Sequence, residues 1–166
     1  MQSKAKSTQP EDPETQLASF IAKFDLPMVR LIRSVRSALR KRLPTANELV
    51  YDNYNFFVIG YCSTERTSDC ILSLAANGKG IILSFYYGAT LPDPTGILQG
   101  SGSQNRFIRL ARAADLAKAE NEALIAAAVR QAKTPLAAKG SGHLIIKSIS
   151  AKQRPRRPAA KPTPAR

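Results

Sequence analysis

The sequence has no tryptophan, one histidine and two cysteines, and its 12 acidic residues are outnumbered by 25 basic ones. Each shortage excludes something. Cys62 and Cys70 are too few for a secreted, disulfide-stapled scaffold. They flank one strand connection and could be neighbours, with buried, reduced thiols the expected state. With His143 as the single histidine, no Ser/His/Asp or Cys/His set can be assembled, so no catalytic residue is assigned, and the cofactor is left unknown. No stretch approaches the ~18 consecutive apolar residues of a membrane span. Residues 1–13 are polar, with Glu11 and Asp12, and lack the apolar centre of a signal peptide. A soluble cytoplasmic protein with no membrane partner is expected.

What is present suits one globular domain. The chain has 166 residues, 43% of them hydrophobic and 22% charged, enough for a real core. The net charge of +13 is unevenly placed, because residues 134–166 hold eight basic side chains and no acid, leaving 17 basic against 12 acidic in the rest. The expected organisation is a disordered N-terminus over 1–13, a single α+β domain over 14–149 and a disordered basic tail over 150–166, whose Lys, Arg, Pro and Ala cannot bury enough apolar surface to order themselves.

Apolar residues at helical spacing predict a short helix over 14–24 (Leu17, Phe20, Ile21, Phe24) and a stronger one over 27–42. Pro27 would sit in the first turn of the second helix, with Asp25 or Leu26 near its cap. Its apolar stripe runs through Met28, Leu31, Ile32, Val35, Ala38 and Leu39. The opposite face carries Arg30, Arg33, Arg36, Arg40, Lys41 and Arg42. Residues 56–62 read as a strand buried on both faces.

The run from Cys70 to Gly88 predicts a β-hairpin around Asn77-Gly78, since both residues tolerate the positive φ of a tight turn. A two-residue turn there places Leu74 opposite Ile81, Leu72 opposite Leu83 and Cys70 opposite Phe85 on one core face. Residues 106–110 are strand-like, 119–132 helical, and 143–149 an edge strand. The segment Gly100-Ser101-Gly102-Ser103-Gln104-Asn105 opens onto a strand rather than a helix, so it reads as a turn and not a phosphate loop.

Two groups of residues could form sites. Tyr51, Asp52 and Tyr54, with Tyr86 and Tyr87, could line a ligand pocket at one end of the sheet, or simply form an aromatic core with hydroxyls at the surface. Arg33, Arg36 and Arg40 on the helix, with Lys152, Arg154, Arg156 and Arg157 in the tail, could hold phosphates of a nucleic acid or another polyanion, since Arg forks pair bidentately with phosphate. The same side chains could equally be solvated, solubilising charge.

The order of a basic amphipathic helix, E-L-V-Y-D-N-Y-N-F-F-V-I-G-Y, the hairpin, L-P-D-P, G-S-G, R-F-I-R-L and a small-residue helix resembles the bacterial YdhG-like domain of unknown function. The ending I-I-K-S-I-S-A-K-Q-R-P-R-R-P is similar to the tail of one of its subgroups, so the resemblance spans residues 15–158. It implies a frataxin-like α+β fold, with helices on one face of an antiparallel sheet of about 4–5 strands. It also implies metal handling, because some members are described as iron chaperones. Hard cations need several oxygen ligands, and the helix here carries arginines, so no metal ligand is assigned. The expected function is a non-enzymatic binding or carrier module, with a nucleic-acid accessory role as the alternative. A homo-oligomer is compatible with either.

Overall fold

A computed structural model describes residues 9–159 and 162–165; residues 1–8 of the expected disordered N-terminus lie outside them. The first helix, α1 (Pro13–Ile21), begins where the Asp12 carboxylate accepts the Thr15 N–H at 3.3 Å, with Pro13 in the first turn. The second, α2 (Leu26–Arg42), is capped in the same way by Asp25, which accepts from Met28 N–H at 3.1 Å. Both caps satisfy backbone donors that a helix start leaves open. In α2, Ile32, Val35 and Leu39 are buried, and the closing Arg40, Lys41 and Arg42 suit the negative end of the helix dipole.

Six strands follow: β1 (Asn47–Asp52), β2 (Phe57–Cys62), β3 (Cys70–Asn77), β4 (Gly80–Phe85), β5 (Arg106–Leu110) and β6 (Leu144–Ile149), with α3 (Ala119–Gln131) between the last two. The sheet order is β5-β4-β3-β2-β1-β6. The first five strands form an antiparallel meander. After α3 the chain returns to the far edge, where β6 lies parallel to β1. The sheet is therefore mixed and six-stranded, rather than antiparallel with 4–5 strands. The additional strand is β1, expected only as a lead-in to the next.

All three helices share one core with one face of the sheet. It joins Leu17, Phe20 and Ile21 of α1, Ile32, Val35 and Leu39 of α2 and Leu124, Ile125 and Ala128 of α3 to Val50, Phe57, Ile59, Leu72, Leu74, Leu83, Phe85 and Ile108. On the other face a small cluster gathers Leu49, Cys62 and Cys70 with Tyr51, Tyr86 and Ile145.

The hairpin forms two residues out of the expected register. Asn77 pairs with Gly80, so Gly78 and Lys79 make the turn, and Leu74 faces Leu83 while Leu72 faces Phe85. Asn77 stays in the strand and closes the turn with its side chain, which accepts the Lys79 N–H at 2.9 Å, while Gly80 takes the positive φ of 156°. A shift of two preserves the face, so the core survives it. Cys70 does leave that face. The pairing passes from Tyr61–Leu72 to Cys62–Cys70, making Ile71 the extra residue of a bulge; Ile71 joins the core and Cys70 turns outward.

Candidate anion-binding site

Strand side chains alternate between faces, so Glu48, Val50 and Asp52 of β1 all point toward the helices. Two carboxylates thus enter the interior from one strand: Glu48 is 5% exposed and Asp52 is fully buried. A buried charge must be paired and hydrogen-bonded, and arginines do this at both ends.

At the start of β1, Arg36 of α2 grips Glu48 with a fork, Nε to Oε2 at 2.9 Å and one terminal nitrogen to Oε1 at 2.8 Å. The same guanidinium donates to both Glu14 oxygens at 3.0 and 2.7 Å. The buried Tyr61 hydroxyl donates to Glu48 Oε2 at 3.1 Å. Burial opposes the charged form of Arg36, yet its bonds to Glu48 and Glu14 outweigh that and raise its pKa. The bond from Arg36 holds the Glu14 carboxyl below its ordinary value. Desolvation, and then the neighbouring Glu48 charge, push the Tyr61 hydroxyl well above the ordinary tyrosine range.

This network forms one wall of a groove of about 700 Å³ between α1, α2 and the chain entering β6. Leu17, Ile21, Leu43 and Leu144 contribute apolar surface, and Arg33, Arg40 and Lys41 line it as well. Arg40 remains 57% exposed, with Nε 3.6 Å from Glu48. Neither Arg33 nor Lys41 has an ion-pair partner among the described residues. The groove is closed on one side by Gly142, whose N–H donates to the Pro44 carbonyl at 3.3 Å. A Cβ at Gly142 would fall on the Ala46 carbonyl oxygen, so glycine is required for this approach.

At the end of β1, Asp52 is held by Arg156, donating to Oδ1 at 2.9 Å, and by Lys23, 2.5 Å from Oδ2. Arg156 also donates to the Asn53 carbonyl at 2.6 Å, and its guanidinium lies 5.9 Å from the centre of the Phe24 ring. The segment from residue 150 is therefore docked rather than trailing free. Ser150 N–H bonds the Asp52 carbonyl and Arg154 N–H the Tyr54 carbonyl, both at 2.9 Å, while Gln153 reaches Asp52 O at 2.8 Å. Apolar burial was not the only way to order this segment; an internal carboxylate does it. Residues 160, 161 and 166 of the expected tail lie outside the described residues.

Of the expected phosphate ligands, Arg33, Arg36 and Arg40 share the groove, but Arg36 is committed to carboxylates. Arg156 is committed likewise. Arg157 donates to the Lys23 and Ala22 carbonyls at 3.2 and 3.4 Å, Arg154 stacks 5.6 Å over Tyr54, and Lys152 is exposed. Arg154 and Arg157, with Lys79 of the hairpin turn and Phe56, border a second cleft of about 520 Å³ that holds no acid.

The expected tyrosine pocket is not assembled. Tyr51 and Tyr86 belong to the outer cluster, Tyr51 bonding Thr67 at 2.6 Å and Tyr86 meeting Tyr87 edge-on at 4.9 Å. Asp52 points to the opposite side, and Tyr54 is 49% exposed beside the tail. His143 is exposed and takes part through its backbone, donating to the Asn47 side chain at 2.9 Å. Sequence reasoning placed Lys41 on the basic helix face without naming it as a ligand, and it missed Glu14, Glu48, Lys23 and Lys79. The signal for Glu48 was its four-residue spacing from Asp52, which puts the two carboxylates on one face of a strand.

These features define an α+β protein with a cationic, partly apolar groove at one end of its sheet. No family model matches the chain, and comparison with curated proteins and with solved structures finds no match.

Proposed function

We propose that the chain is a non-enzymatic binding module whose groove takes a small anionic ligand with an apolar portion. The observation that carries this reading is the meeting of Arg33, Arg40 and Lys41 with Leu17, Ile21, Leu43 and Leu144 around about 700 Å³. That volume is in the range of small-molecule sites, in which apolar walls supply affinity and a few polar groups fix orientation. Arg33 and Lys41, without acidic partners among the described residues, are the groups left to neutralise a phosphate or carboxylate. Membership of the YdhG-like family and a frataxin-like architecture remain part of the proposal, supported by helices gathered on one face of the sheet; the parallel β6 is not part of that expectation. Metal handling receives no support, since no group of three or more His, Cys, Asp or Glu side chains converges among the described residues.

The test is calorimetric titration at low salt with a panel of phosphorylated and carboxylated metabolites. Saturable binding that falls at least tenfold in the Arg33→Ala/Lys41→Ala double variant, with its melting temperature unchanged, is the expected result. No heat with any anion removes the reading. A second reading, polyanion binding, rests on Lys79, Arg154 and Arg157 lining a cleft without acids. It predicts a salt-sensitive gel shift with single-stranded nucleic acid that is lost in Lys79→Ala/Arg157→Ala and kept in Arg33→Ala/Lys41→Ala.

A further inference from the structure

The two cysteines stand at partner positions of neighbouring strands, Cys62 opposite Cys70. Beside them the Ser63 N–H donates to the Asp69 carbonyl at 3.3 Å. The cysteine pair is then of the non-hydrogen-bonded kind, the class in which a regular ladder brings facing Cα atoms to about 4.5 Å. Disulfides bridge Cα separations of about 4.4–6.8 Å.

Both sulfurs converge over one glycine. A Cβ on Gly60 would lie 3.2 Å from Cys70 Sγ and 3.6 Å from Cys62 Sγ. The thiols are free, they are 1% and 5% exposed, and Tyr51, Tyr86 and Ile145 pack around them. Cys70 Sγ also lies 3.4 Å from the Ser73 hydroxyl. The bond from the Cys62 thiol, with that of Ser73, favours thiolate at Cys70, whereas pairing with Cys70 and burial push Cys62 up. Cys70 is also the more exposed of the two and has the Ser73 hydroxyl beside its sulfur, which makes it the sulfur an oxidant meets first and Cys62 the one that resolves.

We propose that Cys62 and Cys70 form a reversible dithiol–disulfide site whose oxidant is a small peroxide. The Cys70 thiolate attacks one peroxide oxygen, the O–O bond breaks, and the departing hydroxide takes a proton to become water. Cys62 sulfur then attacks the Cys70 sulfenic acid. The S–S bond forms, the S–O bond breaks, and the leaving hydroxide with the Cys62 proton makes a second water. The sulfur pair loses two electrons and the peroxide gains two. Size restricts the oxidant. The two thiols are 1% and 5% exposed under Tyr51, Tyr86 and Ile145, so only a molecule of a few atoms can reach either sulfur. A peroxide is on that scale and a peptide disulfide is not.

The test exposes the folded full chain to hydrogen peroxide or to glutathione disulfide, then unfolds it in a thiol-alkylating reagent for mass analysis. Peroxide is expected to leave neither thiol alkylatable, to lower the mass by two hydrogens and to join the peptides carrying residues 62 and 70. Dithiothreitol restores both thiols, and glutathione disulfide leaves both untouched. Persisting thiols after peroxide, added oxygen in place of the lost hydrogens, or a link between two chains overturns the site. Equal oxidation by glutathione disulfide overturns the size restriction. In Cys62→Ser, Cys70 is expected to stop as a sulfenic acid that a 1,3-dione captures; capture only at residue 62, in Cys70→Ser, would reverse the assignment of the attacking sulfur.

Discussion

Glu48 and Asp52 sit four residues apart on one strand, face the same interior and are each neutralised by an arginine, but the two arginines are tethered differently. Arg36 lies within a 17-residue helix packed on the core and cannot withdraw without unfolding α2. Arg156 lies on a segment outside the helices and the sheet, held by polar contacts: Arg156 to Asp52 and the Asn53 carbonyl, two backbone bonds, Gln153, and Arg157 to the Lys23 and Ala22 carbonyls. Such a segment opens locally, at a free energy below that of the whole domain. The same chemistry is thus part of the global fold at one end of β1 and a detachable clasp at the other. The clasp also leaves Arg156 Nε and one terminal nitrogen buried without a partner, which lowers its gain further.

The contrast fails first if Arg36→Ala is mild. That substitution leaves Glu48 buried with only the looser Arg40 and the Tyr61 hydroxyl, and a broken buried pair costs about 3–5 kcal/mol; urea unfolding should show a loss of that size with a cooperative transition. Arg156→Ala should cost less, about 1.5–3 kcal/mol, because Lys23 remains on Asp52 and water enters once the segment lifts. Deleting residues 150–166 should cost about as much as Arg156→Ala in the same urea experiment. A cost equal to that of Arg36→Ala would make the clasp part of the global unit. The smallest effect belongs to Glu14→Gln. Glu14 is 52% exposed on its side chain, so the loss at neutral pH should stay near ~0.5 kcal/mol. Its folded pKa is lowered by Arg36, so its contribution is complete above the ordinary value of 4.5 and disappears as the pH falls through the lower folded value. Wild type and variant should therefore converge in stability at the acid end of a pH series, and divergence there would reverse the sign of the interaction.

Much of the fold follows from pattern. The α2 stripe, the hairpin face and the small-residue α3 are periodicities that packing leaves intact. What escaped sequence reading depended on partners distant in the chain. Glu48 and Asp52 made 47–52 look unlike a strand, because an inward carboxylate is acceptable only once its arginine is known. Arg36 and Arg156 looked like surface charges for the same reason in reverse. The hairpin register slipped by two because Asn77 used its side chain, not its backbone, to make the turn. The groove was half legible: its arginines share a helix face, but the leucines opposite them come from α1, the turn after α2 and β6.

The parallel pairing of β6 with β1 also dictates a sequence of events in time. The Asn47–His143 contact at its start closes a separation of 96 residues, and Asp52 and Arg156 are 104 apart, whereas the meander joins strands that are neighbours along the chain. Pairings of long separation form slowly, since loop closure must precede their reward. During synthesis the first strand emerges well before either its parallel neighbour or the arginine of its second carboxylate. In that interval Lys23 is the cation at hand for Asp52, and the open β1 edge is the surface a nascent chain most needs to protect.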